Sequence, residues 1–178
     1  MIDITNLSSR YVVRSLDSSD IDEIVGLCQQ NEVFYKYTEA RPTRENIQDD
    51  MTATPPGIDY SAKHYFGFFD KQELVAVMDL VDGYPKADIA YIGFFMMNLK
   101  FQGKQIGSAI VSEAIDYLKS IGKTSVRLAI DKGNPQSTHF WRKNGFEIIS
   151  EADVNGWTKL VAEKQLLVTS FQEVKNIE

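Results

Sequence analysis

Residues 101–109 read "FQGKQIGSA", and residues 110–122 continue as "IVSEAIDYLKSIG". Ile110, Ala114, Leu118 and Ile121 recur at helical spacing, which predicts an amphipathic helix closed by Gly122, with Lys119 in its last turn. A helix start leaves its first backbone N–H groups without internal partners, all aimed along the axis. Gly103 and Gly107 carry no Cβ, so an anion can approach that backbone closely, and Lys104 adds a positive charge. The Gln102 amide is placed to fix the loop. No G-K-[ST] closes the stretch as in a Walker loop, and the G-x-G-x-x-G of a dinucleotide site is absent. Gln105 interrupts the loop, and a negative φ there would point its side chain outward.

The stretch follows "DIAYIGFFMMN" (88–98), a run apolar on both faces, as a buried central strand should be. Before it, "HYFGFFD" (64–70) and "ELVAVMDLV" (73–81) read as a hairpin, and "YVVRSL" (11–16) as a short strand. Between these lie two helices. One is capped by Ser19 or Asp20, with a stripe of Ile21, Ile24, Val25 and Cys28; the other, 42–51, is capped by Thr43. After the opening helix come a strand, "TSVRLAI" (124–130), and a helix with Asn134 as cap, Pro135 first and Gly145 at its end. "FEIISEAD" and "WTKLVAEKQLL" pair around Asn155-Gly156. The order βααβββαβαββ predicts an α/β fold with a mixed, mostly antiparallel central sheet and flanking helices.

The 178 residues suit a single domain with a core over about 10–165 and a C-terminal extension, 166–178. The apolar stretch "LLVTSF" in that extension is read as a strand or an interface, so a homodimer is one expected assembly. A net charge of −6 argues against nucleic acid, whose binders carry a basic face. Lys100, Lys104, Lys132, Arg142 and Lys143 gather loosely, either as solvated surface or around one small polyanion. No run approaches the roughly 20 apolar residues of a membrane span, and "MIDITNLSSR" does not read as an export signal. The lone Cys28 forms no intramolecular disulfide, and the expected compartment is the cytoplasm. His64 has no ligand-type neighbours at metal spacing, so no metal site is expected.

Two motifs at matching separation carry a family resemblance. "QGKQIG" fits [QR]-x-x-G-x-[GA] except at Gln105. "NPQSTHFWRKNGF" fits N-x-x-[AS]-x-x-F-Y-x-K-x-G-F at Asn134, Ser137, Phe140, Lys143, Gly145 and Phe146, with Trp141 in place of the tyrosine. The chain resembles the GNAT superfamily of acyl-CoA N-acyltransferases, and the element order agrees over about residues 10–165. The resemblance implies acetyl-CoA as cofactor and a small-molecule or peptide amine as acceptor. It puts the pantetheine arm on backbone groups of Met96, Met97 and Asn98. The pyrophosphate falls to the loop Gln102, Gly103, Lys104, Gln105, Ile106, Gly107 and Ser108. Asn134, Phe140, Trp141 and Lys143 are assigned to the remaining cofactor contacts.

The implied reaction is direct attack of an amine on the thioester within a ternary complex. It needs a base, an oxyanion donor and a source of a proton for the thiolate. The backbone N–H of Met97 is the expected oxyanion donor. Asp79, alone in an apolar strand, is the first candidate base if burial raises its pKa; otherwise it faces solvent on the strand's polar side. Tyr91, Asp82, Tyr84 and Asp88 are further candidates, and the resemblance also allows a chain of water to serve as the base. Tyr35, Tyr37, Asp79 and Tyr84 are the candidates for the acceptor wall. An indole does not donate a proton at physiological pH, so Trp141 cannot act as the usual tyrosine acid. That leaves water or another side chain as the acid, a thiolate that departs without one, or a CoA-binding sensor with weak or no turnover.

Overall fold

The computed structural model describes residues 2–166. The expected strand or interface from Leu167 onward lies outside the described residues. Eleven regular elements run in the order β1 (Val12–Ser15), α1 (Ile21–Gln29), α2 (Arg44–Thr52), β2 (Lys63–Asp70), β3 (Glu73–Asp82), β4 (Ile89–Met97), α3 (Ile106–Ser120), β5 (Ser125–Asp131), α4 (Pro135–Lys143), β6 (Glu147–Val154) and β7 (Trp157–Gln165). The strands form one sheet, ordered β1-β2-β3-β4-β5-β7-β6, in which β4–β5 is the parallel pair.

Local chemistry sets most boundaries. Thr43 caps α2 by accepting from the Asn46 N–H, and Asn134 caps α4 by accepting from Ser137, with Pro135 at the first position. Asn155 and Gly156 both take positive φ, 52° and 82°, which matches the strand twist across a two-residue turn. The start of α1 differs from expectation. Asp17 caps a short 3₁₀ turn, Ser18–Asp20, and Asp20 closes a capping box back onto it, so the chain enters α1 already turned. Ile121 also departs from its expected stripe: it is the residue after α3 and is exposed.

The sheet buries two separate apolar layers. Phe66, Phe68, Met78, Leu80 and Ile92 pack with Ile110, Ala114 and Leu118 of α3 on one face. Tyr65, Val77 and Met96 pack with Ile24, Leu27, Ile47 and Met51 on the face covered by α1 and α2. This two-sided cover explains why β3 and β4 read as continuous apolar runs. The expectation for β4 needs one correction: Ile89, Ala90 and Ile92 are buried, but Tyr91, Phe94 and Phe95 are half-buried and Gly93 is exposed before Met96 and Met97 are buried again. The cause lies in the pairing with β5.

Candidate functional site at the β4–β5 gap

Parallel pairing between β4 and β5 runs from Ile89↔Ser125 to Ile92↔Leu128 and no further. On its other side β4 stays paired with β3 as far as Ala76↔Met97. The register skips one residue there, Asp79 facing Phe94 while Leu80 faces Ile92, so Gly93 is the extra residue of a bulge. A bulge bends its strand and increases the local twist, which turns β4 away from β5 at this point. The Asn98 N–H donates to the Val75 carbonyl at 2.9 Å. Antiparallel alternation then makes Phe95 and Met97 the residues whose N–H and C=O point away from β3, into the gap. Of the three residues expected to offer backbone groups there, Met97 does so by this alternation. The Met96 backbone faces the ladder and the Asn98 N–H is used in it, and the Asn98 side chain is committed to Leu74 and Lys100.

A cavity of about 320 Å³ occupies the gap. Its walls come from both faces of the sheet: Asn31 and Phe34 beyond α1, Phe95, Met96 and Met97 on β4, Gln102 to Ser108 around the start of α3 (Lys104 excepted), and Phe140, Trp141 and Lys143 on α4. The Gln102 amide fixes the loop, as expected, by donating to Asn31 Oδ1 at 2.6 Å and to the Met97 carbonyl at 3.2 Å. Asn31 was invisible to motif reasoning. A lone polar residue after a helix carries no signal until its partners, 66 and 71 positions away, are in place. Phe95 and Gln136 also line the cavity without a sequence cue, and Phe34, from the loop that the family resemblance makes an acceptor wall, and His139 line it too.

At one end of the cavity α3 begins. The Ala109 N–H makes the first intrahelical bond, to the Gln105 carbonyl at 3.0 Å, so the N–H groups of Ile106, Gly107 and Ser108 have no helical partner. Gly103, at φ 70°, has open space where a Cβ would stand. Gly107 also has a packing role. A Cβ there would lie 3.3 Å from the Phe140 ring and 3.4 Å from Met97 Cγ, so its absence lets α3 pack closely on α4 and β4. The condition set on Gln105, a negative φ, is not met. Gln105 sits at φ 60° in the left-handed region, where a side chain costs roughly 1–2 kcal/mol.

The loose gathering of cations is dispersed. Lys100 pairs with Glu73, Lys132 pairs with Glu151, and Lys104 Nζ donates to the Lys100 carbonyl; of the five, Lys143 lines the cavity. Asn134 is buried and spends Oδ1 on the α4 cap, while its Nδ2 has no partner among the described residues; it is not among the residues that line the cavity. Trp141 is 8% exposed and packs edge-on against Phe140 and Phe146, so it is a core residue with one edge at the cavity.

On the α1–α2 face, at the bulge, lies Asp79. Its side chain is 13% exposed, and Oδ2 accepts from Lys63 Nζ at 2.9 Å; the Lys63 side chain is 2% exposed. Asp79 therefore does not stand on a solvated face. Burial pushes its carboxyl up to about 6, against the pull of the Lys63 ammonium. Burial likewise pushes Tyr91 up to about 12, and its ring meets that of Tyr84 edge-on at 5.2 Å. A phenol raised in this way is a poor base at neutral pH. Tyr35 is buried among the α1–α2 residues, and its neighbour Phe34 takes the place on the cavity wall. Tyr37 is half-buried and, like Tyr84, does not line the cavity.

The Acetyltransferase (GNAT) family model matches residues 20–146. The chain belongs to the GNAT acetyltransferase family. It is 24% identical over 166 residues to an uncharacterized N-acetyltransferase of Methanocaldococcus jannaschii, covering 90% of this chain and 70% of that one. Among solved structures, an acetyltransferase from Thermus thermophilus superposes with a TM-score of 0.69 at 20% identity, over 86% of this chain and 96% of the other. The PaiA N-acetyltransferase from Thermoplasma acidophilum, solved in complex with coenzyme A, gives 0.62 at 19% identity, over 86% and 98%. At these identities the structural likeness establishes the fold: this GNAT acetyltransferase shares its mixed sheet and flanking helices.

Proposed function

We propose that this GNAT acetyltransferase moves an acetyl group from acetyl-CoA to a primary amine of a small molecule or peptide, by direct attack in a ternary complex. The observation that carries this reading is the β4 edge beyond Ile92, with the outward N–H groups of Phe95 and Met97, in a cavity that ends at the start of α3. The residues present fit the cofactor. An extended amide-bearing arm can add to the free edge as a strand would. The N–H groups of Ile106 to Ser108, with Gly103 opening the loop, suit a pyrophosphate. Phe140 and Trp141 offer an apolar floor, and Lys143 a cation at the rim. Coenzyme A in the PaiA complex supports the same choice.

Bound acetyl-CoA would supply an acyl group activated as a thioester. Met97 would donate its N–H to the carbonyl oxygen as negative charge builds there. Its own carbonyl is already held by Asn31 and Gln102, so that stretch of β4 is preorganised. Asp79 would accept the proton that the amine gives up, directly or through one water. The leaving sulfur takes its proton from water, since Trp141 has none to give at physiological pH.

Calorimetric titration of acetyl-CoA into the parent protein and into Ser108→Glu, which sets a negative charge among the free N–H groups at the start of α3, tests the reading. Micromolar binding by the parent, lost in the variant, supports it, and thiol release with a panel of amines then identifies the acceptor. No binding by the parent, or equal binding by both, overturns it.

A further inference from the structure

The bulge that opens the gap also makes room for a charge. Gly93 is its extra residue, and any Cβ there would collide with the Asp79 carboxyl. Asp79 thus lies over the bare Cα of an exposed residue at the point where the sheet opens. Its two oxygens differ. Oδ2 is held by Lys63, whereas Oδ1 is enclosed and has no partner among the described residues. Tyr65, the cross-strand partner of Asp79, likewise has an enclosed hydroxyl without a partner.

Lys63 reaches this point from the start of β2 with its side chain almost wholly covered. An ammonium so placed is costly unless paired, and its partner is Asp79. A surface ion pair can exchange partners with solvent. This one cannot, so it sets where the carboxylate stands.

We propose, building on the reading of Asp79 as base, that Lys63 is a positioning residue for acetyl transfer. Its buried ammonium pins Asp79 through Oδ2 over Gly93, at the bulge where β4 turns away from β5, as the group that receives the acceptor's proton. The transfer balances within the pair: an alkylammonium gives one proton to the carboxylate, becomes the neutral amine, and Asp79 becomes a carboxylic acid. The groups facing the carboxyl are Lys63 and Tyr65 of β2, Tyr91 of β4, and Asp50 of α2, whose negative charge opposes that of Lys63. Without Lys63 the carboxylate would face Asp50 uncompensated and hold its proton to higher pH.

The experiment is the pH profile of acetyl transfer for the parent, Lys63→Met, Lys63→Gln, Lys63→Arg and Asp79→Asn, with acetyl-CoA affinity measured on each. Lys63→Met is expected to keep the parent's affinity while the acid limb of its profile moves up by about one unit or more. Lys63→Arg is expected to restore the parent's limb. Lys63→Gln, which keeps a donor toward Oδ2 without the charge, carries the same test should the methionine variant fail to fold. An acid limb unmoved in both neutral variants, or activity lost equally at every pH, overturns the role of Lys63. An Asp79→Asn profile that keeps the parent's acid limb overturns the base reading itself, a separate outcome.

Discussion

The Asn31 side chain joins β4 to the loop before α3: its Nδ2 donates to the Met97 carbonyl at 3.0 Å, and its Oδ1 accepts from Gln102 Nε2 at 2.6 Å. Asn31 is itself buried and also donates to the Leu27 carbonyl, closing the end of α1. Asn31→Ala leaves the Gln102 amide and the Leu27 carbonyl short of partners. The expected cost is about 1–3 kcal/mol in urea unfolding, together with weaker acetyl-CoA binding by calorimetry. Unchanged affinity in a destabilised variant would separate the loop's geometry from the cofactor site.

Gln105 offers the opposite sign. Its φ of 60° suits glycine, and the carbonyl of this residue accepts the first bond of α3. Gln105→Gly should raise stability by about 1 kcal/mol, read as a higher urea midpoint. The loop is already held in this conformation, so acetyl-CoA affinity should hold or improve. A drop in stability would show that the Gln105 side chain makes up for its own strain.

Gly107 has little room. A Cβ added there would stand 3.3 Å from the Phe140 ring, a tight contact, and 3.4 to 3.5 Å from the Met97 thioether. Gly107→Val should cost about 1–3 kcal/mol by overpacking. It should also narrow the cavity enough to reduce acetyl-CoA affinity severalfold. A valine variant with the parent's unfolding curve would mean that α3 can slide away from α4.

Asp79 predicts a pH dependence. A base must be deprotonated to act, and burial holds this carboxyl at about 6, so the rate should fall as pH drops below about 6. Asp79→Asn should lower kcat by roughly 10²–10⁴-fold and remove that limb. A variant within twofold of the parent would hand the proton to water.

Much of the architecture is legible in the chain because it is encoded locally. Asn134-Pro135, Thr43, Asn155-Gly156 and the terminal glycines each act within about four residues, so they mark helix ends and turns without knowledge of the rest. The periodicity of "IVSEAIDYLKSIG" and the continuous apolar run of β4 likewise depend on a residue's own neighbours. Reading failed where two local signals competed, as at Asp17 against Ser19 and Asp20, or where a stripe outran its helix, as at Ile121.

The candidate site divides along the same line. By itself the sequence determined the order of elements, the two motif-bearing helix starts and the family they resemble, because motif spacing is a property of the chain. It also marked Asp79 as a carboxylate out of place in an apolar strand. Tertiary structure alone decided which β4 residues offer a free edge, since that depends on a one-residue bulge at Gly93 and on where β5 stops pairing. It alone brought Asn31 to Met97 and Lys63 to Asp79, and it assigned Gly107 to packing and Gln105 to a left-handed turn. Each of these rests on distance and burial between segments remote in sequence, and those quantities do not exist until the sheet has closed.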